Sequence, residues 1–315
     1  MTNLKLAPSP FSLKYPQHQH SWDSVSLKEF KTCPRKYYYR IVLGYTSPRI
    51  SPHLTFGLIY HSSLELYDIM KAKGAGHDEA VSYTLQHLLT KTWDRELSRP
   101  SFDSEEPTKT RETLIRSILW YLAKFKDDPC KTVLLHNNKP AVELSFNFET
   151  DIISGLTGEY YILSGHLDRL VEFEGGLYIL DRKTTKAALT DYFIKSFSPD
   201  IQMTLYYIAG GIVLNRPIQG LLIDAVQVGV NFSRFGRFVI TRSQKQLDEF
   251  IKDLEYFFSF AEHCAKEEYW PMNECSCSNY GGCPYRNICT EEPYIRIEYL
   301  KNEFLVSKWN PLEVR

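Results

Sequence analysis

Residues 160–183, YYILSGHLDRLVEFEGGLYILDRK, decide the fold because they contain two apolar runs joined by a short glycine-containing segment. The runs 160–173 and 177–181 are rich in aromatic and branched aliphatic residues, which favours β-strands. Gly175 and Gly176 predict a tight turn between them. This stretch therefore predicts an antiparallel hairpin at the centre of the chain.

Three charged side chains lie on the predicted hairpin: Asp168, Asp181 and Lys183. Side chains two positions apart in a strand share a face, so Asp181 and Lys183 point together, and the hairpin brings Asp168 near them. Mg²⁺ and Mn²⁺ prefer such carboxylate oxygens, and a bound ion polarises a phosphate and acidifies water. The alternative is an ordinary ion pair at a strand end, which a lone Asp-x-Lys pattern favours.

The regions around the hairpin show both helical and strand-like patterns. A capping box at Ser26–Glu29 predicts the start of a helix that contains Cys33 and Pro34. Residues 99–110 are polar and predict an exposed loop. Further strands are predicted at 141–148, 220–231 and 237–240, and helices at 55–70, 78–99, 111–127, 201–214 and 244–268. This order predicts a mixed α/β core with an N-terminal helical insertion.

The same patterns divide the chain into four predicted regions. Residues 1–20 form a flexible lead-in and residues 21–139 an N-terminal helical region. Residues 140–245 form the mixed-sheet core, and residues 246–315 form a long helix followed by a cysteine-rich segment.

Composition excludes several classes of protein. The chain has 315 residues, of which 43% are hydrophobic and 24% charged, and this excludes wholesale disorder and fibrous repeats. The formal charge of −1 excludes a polycation, so a nucleic-acid-binding face must be local. No apolar run has the length of a membrane span or the character of a signal peptide, so we expect a cytoplasmic protein without membrane contact.

The cysteines cluster near the C-terminus. Of seven in the chain, four are Cys275, Cys277, Cys283 and Cys289, a density that indicates a metal site. The spacing does not fit the two Cys-x-x-Cys pairs of a zinc ribbon, whereas an iron–sulfur cluster tolerates wider gaps. Cys33 lies in the predicted N-terminal helix. The other two cysteines, Cys130 and Cys264, are predicted to be buried thiols in apolar helices.

Two further patterns precede and follow the hairpin. His61 lies in the helix predicted at 55–70, where a single histidine is more often a core residue than a metal ligand. Gln202 and Tyr206 are four residues apart and share one face of the helix predicted at 201–214.

Taken in order, these motifs resemble the PD-(D/E)XK nuclease superfamily, and specifically its RecB-like exonuclease branch. The family's Gly-x-x-x-His element matches Gly57 to His61, and its central acid matches Asp168 in Gly165–Asp168. Its Asp/Glu-x-Lys element matches Asp181–Lys183, and its Gln-x-x-x-Tyr element matches Gln202 and Tyr206. The four elements occur in the family's order over residues 57–206. The resemblance implies a restriction-endonuclease-like (RecB-type) α/β fold.

The resemblance also implies roles for these residues. The implied ligands of a Mg²⁺ or Mn²⁺ ion are His61, Asp168, Asp181 and the carbonyl of Arg182. Lys183 is then the residue beside the attacking water, and Gln202 and Tyr206 contact DNA or brace the site. Glu143 is a further acid near the site, although it matches the family pattern more loosely.

Iron–sulfur members of this branch use one upstream cysteine and three near the C-terminus. Cys33, followed by Pro34-Arg35-Lys36 and three tyrosines, resembles the upstream element. The resemblance implies that Cys33, Cys277, Cys283 and Cys289 hold one 4Fe-4S cluster, with Cys275 as a competitor of Cys277. Such a cluster acts as a staple between distant segments rather than as a redox catalyst.

The resemblance implies a metal-dependent DNA nuclease, an exonuclease on single-stranded ends. One alternative is a catalytically silent DNA-binding scaffold of the same fold in a recombination or repair complex. A second is a zinc-stabilised binding module whose Asp-x-Lys is coincidental. The chain has no phosphate-binding loop of a motor, so we expect any unwinding to come from a helicase or recombination partner.

Overall fold

The computed structural model describes residues 9–48, 51–101 and 104–313 of the chain. It divides into two compact units, each assembled from separate stretches of sequence. The first unit comprises Met1–Arg49, Ser145–Gly165 and Gln244–Arg315, and the second comprises Ile50–Leu144 and His166–Ser243. The region boundaries predicted from the sequence stay a prediction.

The chain contains both helices and strands, several of which follow elements of the same kind. The helices are α1 (Ser24–Thr32), α2 (Pro34–Tyr37), α3 (Pro52–Ala72), α4 (His77–Lys91), α5 (Arg111–Lys124), α6 (Asp191–Lys195), α7 (Ile201–Leu214), α8 (Gln244–Lys266), α9 (Arg286–Thr290) and α10 (Arg296–Glu303). The strands are β1 (Ser21–Trp22), β2 (Tyr45–Thr46), β3 (Trp93–Asp94), β4 (Arg99–Pro100), β5 (Lys131–Thr132), β6 (Val142–Ile153), β7 (Tyr160–Phe173), β8 (Gly176–Thr185), β9 (Gly220–Val228), β10 (Ser233–Ile240) and β11 (Leu305–Val306). No helix within the described ranges is long and apolar enough to cross a membrane.

The second unit contains a mixed sheet. Strand β8 pairs antiparallel with β7, where Arg169 lies opposite Leu180, and parallel with β9, where Asp181 lies opposite Ile223. Strand β10 returns antiparallel to β9. A parallel pair needs a crossover connection, and the chain makes it through α6 and α7. The mixed α/β architecture predicted from the sequence is confirmed.

Helices α3, α4 and α5 of the second unit pack around an apolar core. Its members include Phe56, Tyr60 and Leu64 of α3 together with Val226 and Val228 of β9. Every residue of β9 is buried, so this strand lies at the centre of the unit. Burial of this apolar surface is what fixes α3 in place.

Helix α7 begins and ends at the residues predicted for it. Asp200 caps its start by accepting a hydrogen bond from the N–H of Met203, and Asn215 ends it in the left-handed conformation. These two signals place Gln202 in the first turn of the helix.

The first unit is built around aromatic rings. Trp22 of β1 lies 5.3–5.8 Å, centroid to centroid, from the rings of Phe30, Tyr37 and Phe258. Phe11 and Gln19 form an antiparallel bridge in the segment before β1, and Gln19 is buried.

Three local predictions were wrong. The predicted helix 78–99 ends at Lys91, because the Asp94 carboxylate accepts backbone hydrogen bonds that form a turn after Thr92. The hairpin turn consists of Glu174 and Gly175, both with positive φ, rather than of the two glycines. Cys130 is buried as predicted but lies in the irregular segment before β5 rather than in a helix.

The start of the first helix also differs from the prediction. Asp23 is its N-cap and forms the capping box with Ser26, so Ser26 lies one turn inside the helix. The helix ends before Cys33, which is extended because the next residue is Pro34. Pro34 then starts α2. Cys33 therefore occupies a break between two helices.

Candidate active site and cysteine site

The second unit brings His61 of α3 to the acid Asp168 of β7. The His61 Nδ1 lies 3.2 Å from the Asp168 Oδ2. The same oxygen accepts a hydrogen bond of 2.9 Å from the backbone N–H of Arg182 in β8. One carboxylate thus links a helix to the neighbouring strand.

Glu143 of β6 joins this pair. Ligand atoms of Glu143, His61 and Asp168 all lie within 4.8 Å of one another. The backbone of Glu143 has a φ of 48°, which is costly for a residue with a side chain. Backbone strain of this kind is concentrated at functional sites. Glu143 matches the family pattern only loosely, since no residue pattern signals its backbone conformation.

The remaining predicted residues form a chain of polar contacts. The Lys183 Nζ lies 2.6 Å from the Asp181 Oδ2 and donates a hydrogen bond of 2.9 Å to the Gln202 Oε1. The Gln202 Nε2 donates to the Tyr206 hydroxyl at 3.0 Å. Asp181 is buried and lies outside the three-residue group of His61, Glu143 and Asp168.

Electrostatics separate the two aspartates. Burial opposes ionisation of both, but the charges of His61 and Lys183 and the Arg182 N–H hold the pKa of Asp168 well below its ordinary value. Burial raises the pKa of Asp181 despite the Lys183 ammonium, and the nearby Asp168 carboxylate raises it further. Two carboxylates with opposite pKa shifts in one site are typical of catalytic centres.

The donor set suits a divalent ion. Three carboxylates, those of Glu143, Asp168 and Asp181, face one lysine and one histidine, which leaves excess negative charge. Hard carboxylate oxygens of this kind are preferred by Mg²⁺ and Mn²⁺. His61 and Asp168, with Glu143, are the residues placed to hold such an ion.

A buried network of arginines and aspartates supports these residues, and the sequence analysis missed it. Asp68 of α3 pairs with both Arg169 and Arg182, at 3.1 Å and 2.5 Å. Asp224 of β9 contacts Arg237 at 3.2 Å. Helix and strand periodicities do not predict ion pairs between residues that are far apart in the sequence. The only local signal is that an arginine directly follows each central aspartate.

Four cysteines of the first unit lie near one another: Cys33, Cys277, Cys283 and Cys289. The backbone N–H of Asn273 donates to the Cys33 Sγ at 3.4 Å, and the Cys277 thiol donates to the Asn273 carbonyl at 3.9 Å. The N–H of Cys283 donates to the carbonyl of Cys277 at 2.9 Å. Burial raises the pKa of Cys289, and the charges of Cys283 and Cys33 raise it further.

Cys275 differs from these four. It is exposed, whereas Cys33 is buried and Cys277, Cys283 and Cys289 are half-buried. Arg35 and Arg296 offset part of the rise in the pKa of Cys289, so cationic groups lie near that thiol, but burial keeps the pKa raised.

Comparison with known proteins identifies the family. The model of the PD-(D/E)XK nuclease superfamily matches residues 24–290, so the chain belongs to that superfamily. No curated protein matches the chain. A solved structure titled "Crystal structure of SSO0001" matches 54% of this chain and 84% of that one, at 12% identity and a TM-score of 0.27. Membership of the superfamily indicates a nuclease, a hydrolase that acts on DNA.

Proposed function

We propose that the chain is a metal-dependent exonuclease of the RecB-like branch that hydrolyses single-stranded DNA from its ends. The observation that carries the proposal is the convergence of His61, Glu143 and Asp168 beside the Asp181–Lys183 pair. A Mg²⁺ or Mn²⁺ ion would supply charge stabilisation at the scissile phosphate and an acidified water.

We assign the ion to His61, Asp168 and Asp181, with the carbonyl of Arg182 and the Glu143 carboxylate completing the set. Asp168 supports this role because its pKa is held low, so it is ionised at neutral pH. Asp181 is buried and faces Lys183, which keeps the ammonium of Lys183 beside the acids.

Lys183 is assigned the position beside the attacking water. Its own burial opposes the charged form, but Asp181 and Asp168 outweigh burial and raise the pKa of Lys183. The ammonium therefore stays protonated and stabilises negative charge rather than accepting a proton. Gln202 holds Lys183 through its Oε1, and Tyr206 holds Gln202, so this pair braces the site.

We assign a 4Fe-4S cluster to Cys33, Cys277, Cys283 and Cys289. The contacts of Asn273 with both Cys33 and Cys277, and the exposure of Cys275, support Cys277 as the ligand. Gly281 and Gly282 have positive φ and let the chain turn between Cys277 and Cys283. The assigned role of the cluster is structural, because it would tie Cys33 to the C-terminal segment.

Cleavage of end-labelled DNA tests the catalytic proposal. The full chain, purified without oxygen, is incubated with single- or double-stranded DNA and Mg²⁺, Mn²⁺ or chelator. We expect metal-dependent shortening of single strands, lost in Lys183→Met but kept in Lys252→Met, an exposed lysine of α8. DNA binding without cleavage by the folded wild type would contradict the proposal and favour the silent scaffold.

Iron and sulfide analysis tests the cluster separately. We expect about four irons per chain in the wild type and in Cys275→Ser, and loss of iron in Cys277→Ser. Equal loss in both variants, or zinc in place of iron, would contradict the assignment. Because this readout needs no DNA, it is independent of the nuclease assay.

A further inference from the structure

Lys109 is a buried lysine of the second unit that the catalytic site does not use. It is 1% exposed, and its Nζ has no hydrogen-bond acceptor among the residues that the structure describes. It directly precedes Thr110, the N-cap of α5, where the helix dipole also disfavours a positive charge. A buried ammonium without an acceptor opposes folding, so its retention calls for a role other than stability.

Phe56 of α3 is the neighbour that holds this side chain. The Lys109 Nζ lies 4.2 Å from the centroid of the Phe56 ring, a cation–π distance. The ring attracts the charge but accepts no conventional hydrogen bond. Burial lowers the pKa of Lys109 to about 8, so the group remains mainly charged at neutral pH.

Lys186 and His53 are two basic side chains close to Lys109. Burial lowers the pKa of His53, and the charges of Lys109 and Lys186 lower it further. Lys186 in turn adds to the lowering of the Lys109 pKa. Three basic side chains therefore lie close enough to oppose one another's protonation, and such a group favours the binding of an anion.

These basic residues lie beside the candidate active site. Lys186 follows Lys183 by three residues, which is about 10 Å along an extended chain. Phe56 precedes His61 by five residues, about 7.5 Å along the axis of α3. Thr184 lies against α3 at Gly57, where an added Cβ would be 3.7 Å from its hydroxyl oxygen.

Glu106 is the acid that faces this group. Its Oε2 lies 3.7 Å from the Lys186 Nζ, and the two side chains are 32% and 60% exposed. Its charge also partly offsets the lowering of the pKa of Lys109. A long, exposed ion pair of this kind contributes little to stability and opens readily.

We propose that Lys109, Lys186 and His53 form a subsite for a backbone phosphate of the bound nucleic acid, and that the Glu106 carboxylate pairs with Lys186 when no strand is bound. This inference rests on the proposed nuclease function. Phosphate oxygens supply the acceptors that Lys109 lacks, in charge-assisted hydrogen bonds.

Binding of a single-stranded oligonucleotide in chelator, where no cleavage occurs, tests the subsite. The variant is Lys109→Met, and its control is Lys124→Met, an exposed lysine over Phe125 at the other end of α5. We expect Lys109→Met to bind about tenfold more weakly and to lower the salt-dependence slope by about 0.7. Lys124→Met should match the wild type.

Thermal unfolding separates a binding role from a structural one. We expect Lys109→Met without DNA to unfold at a temperature equal to or above that of the wild type, because an unpaired ammonium is removed. A lysine retained for stability would lower that temperature when replaced. Lys186→Gln, at an exposed position, gives a second test of binding that does not depend on burial.

Glu106→Gln is expected to have the opposite effect on affinity. Removing the competing carboxylate should tighten oligonucleotide binding, while leaving Lys109 and Lys186 unchanged. A second measurement replaces one phosphate of the oligonucleotide at a time by a neutral methylphosphonate. At one position this replacement should weaken binding by the wild type but cause no further weakening of binding by Lys109→Met.

Equal affinity and equal salt slope in Lys109→Met and Lys124→Met would overturn the subsite. The subsite would also be overturned if, at every position, the loss of affinity caused by the methylphosphonate simply added to the loss caused by Lys109→Met. If the wild type cuts and binds DNA while Lys109→Met behaves normally, the subsite alone is wrong. If the wild type neither binds nor cuts DNA, the proposed function fails and the subsite fails with it.

Discussion

The Nη2 of Arg182 lies 2.5 Å from the Oδ2 of Asp68, and both side chains are buried. The second oxygen of Asp68 lies 3.1 Å from the Nη1 of Arg169. Arg169 and Arg182 directly follow the two central aspartates, Asp168 and Asp181. One carboxylate of α3 therefore anchors both strands at the point where each delivers an acid to the site.

Replacement of Asp68 should destabilise the protein strongly. Asp68→Asn removes the shortest ion pairs of the buried Arg169 and Arg182 and leaves them the longer contacts with Asp128 at 3.4 Å and Asp224 at 3.9 Å. Breaking a buried ion pair typically costs about 3–5 kcal/mol of unfolding free energy. Urea unfolding followed by circular dichroism measures the change. Asp78→Asn, at an exposed position in the first turn of α4, is the control. Equal midpoints for the two variants would contradict the anchoring role.

This network was beyond the reach of sequence patterns. Asp68, Arg169 and Arg182 are separated by up to 114 positions, and ion pairs over such distances follow no helical or strand period. The conformation of Glu143 was equally invisible, because a positive φ in a residue other than glycine or asparagine has no compositional signal.

Other parts of the structure were predictable. The strand β7 and the helix α7 have the predicted bounds, because a strong apolar pattern coincides with clear end signals such as Asp200. Helix ends were less predictable where two capping residues competed: Asp23 prevailed over Ser26 as the N-cap of α1. The proximity of Asp181 and Lys183 follows from strand geometry alone.

Strain at Glu143 predicts an unusual response to glycine. Glu143→Gly should raise the unfolding free energy in chelator by about 1 kcal/mol, since glycine adopts a positive φ without strain and one charge leaves an acidic site. Glu174→Gly, an exposed turn residue with a φ of 49°, should give a similar gain. Only Glu143→Gly should weaken Mn²⁺ binding, measured by calorimetry. Unchanged Mn²⁺ affinity would remove Glu143 from the ion site.

Metal binding should stabilise the fold. A ligand at one hundred times its dissociation constant adds about 2.7 kcal/mol to the unfolding free energy. We expect Mg²⁺ or Mn²⁺ to raise the unfolding midpoint of the wild type and of Asp151→Asn, an exposed aspartate of β6. Asp168→Asn should abolish the difference between metal and chelator. A persistent metal effect in Asp168→Asn would argue against the assigned ligands.

The pH dependence of stability should reveal Lys109. Burial lowers its pKa to about 8 from an ordinary value of 10.5, so the folded protein carries the full penalty of the charged form below pH 8. Between these two values the unfolded chain binds more protons, and the contribution of this group to unfolding free energy rises with pH.

Lys109→Met removes this dependence. Its stability advantage over the wild type, on the order of 1 to 3 kcal/mol at pH 7, should shrink toward zero near pH 10.5. Urea unfolding of both proteins at several pH values measures the difference, with Lys124→Met as the control. An advantage that grows with pH would have the wrong sign for a buried ammonium.

In the proposed mechanism, this acidic site hydrolyses DNA with a bound metal ion. The most direct measurement is the single-turnover rate of nucleotide release from end-labelled single-stranded DNA in Mg²⁺, for the wild type, Asp181→Asn and Asp151→Asn. We expect Asp151→Asn to match the wild type and Asp181→Asn, folded by circular dichroism, to be slower by about a hundredfold or more. Equal rates for all three proteins, or cleavage that persists in chelator, would contradict the account.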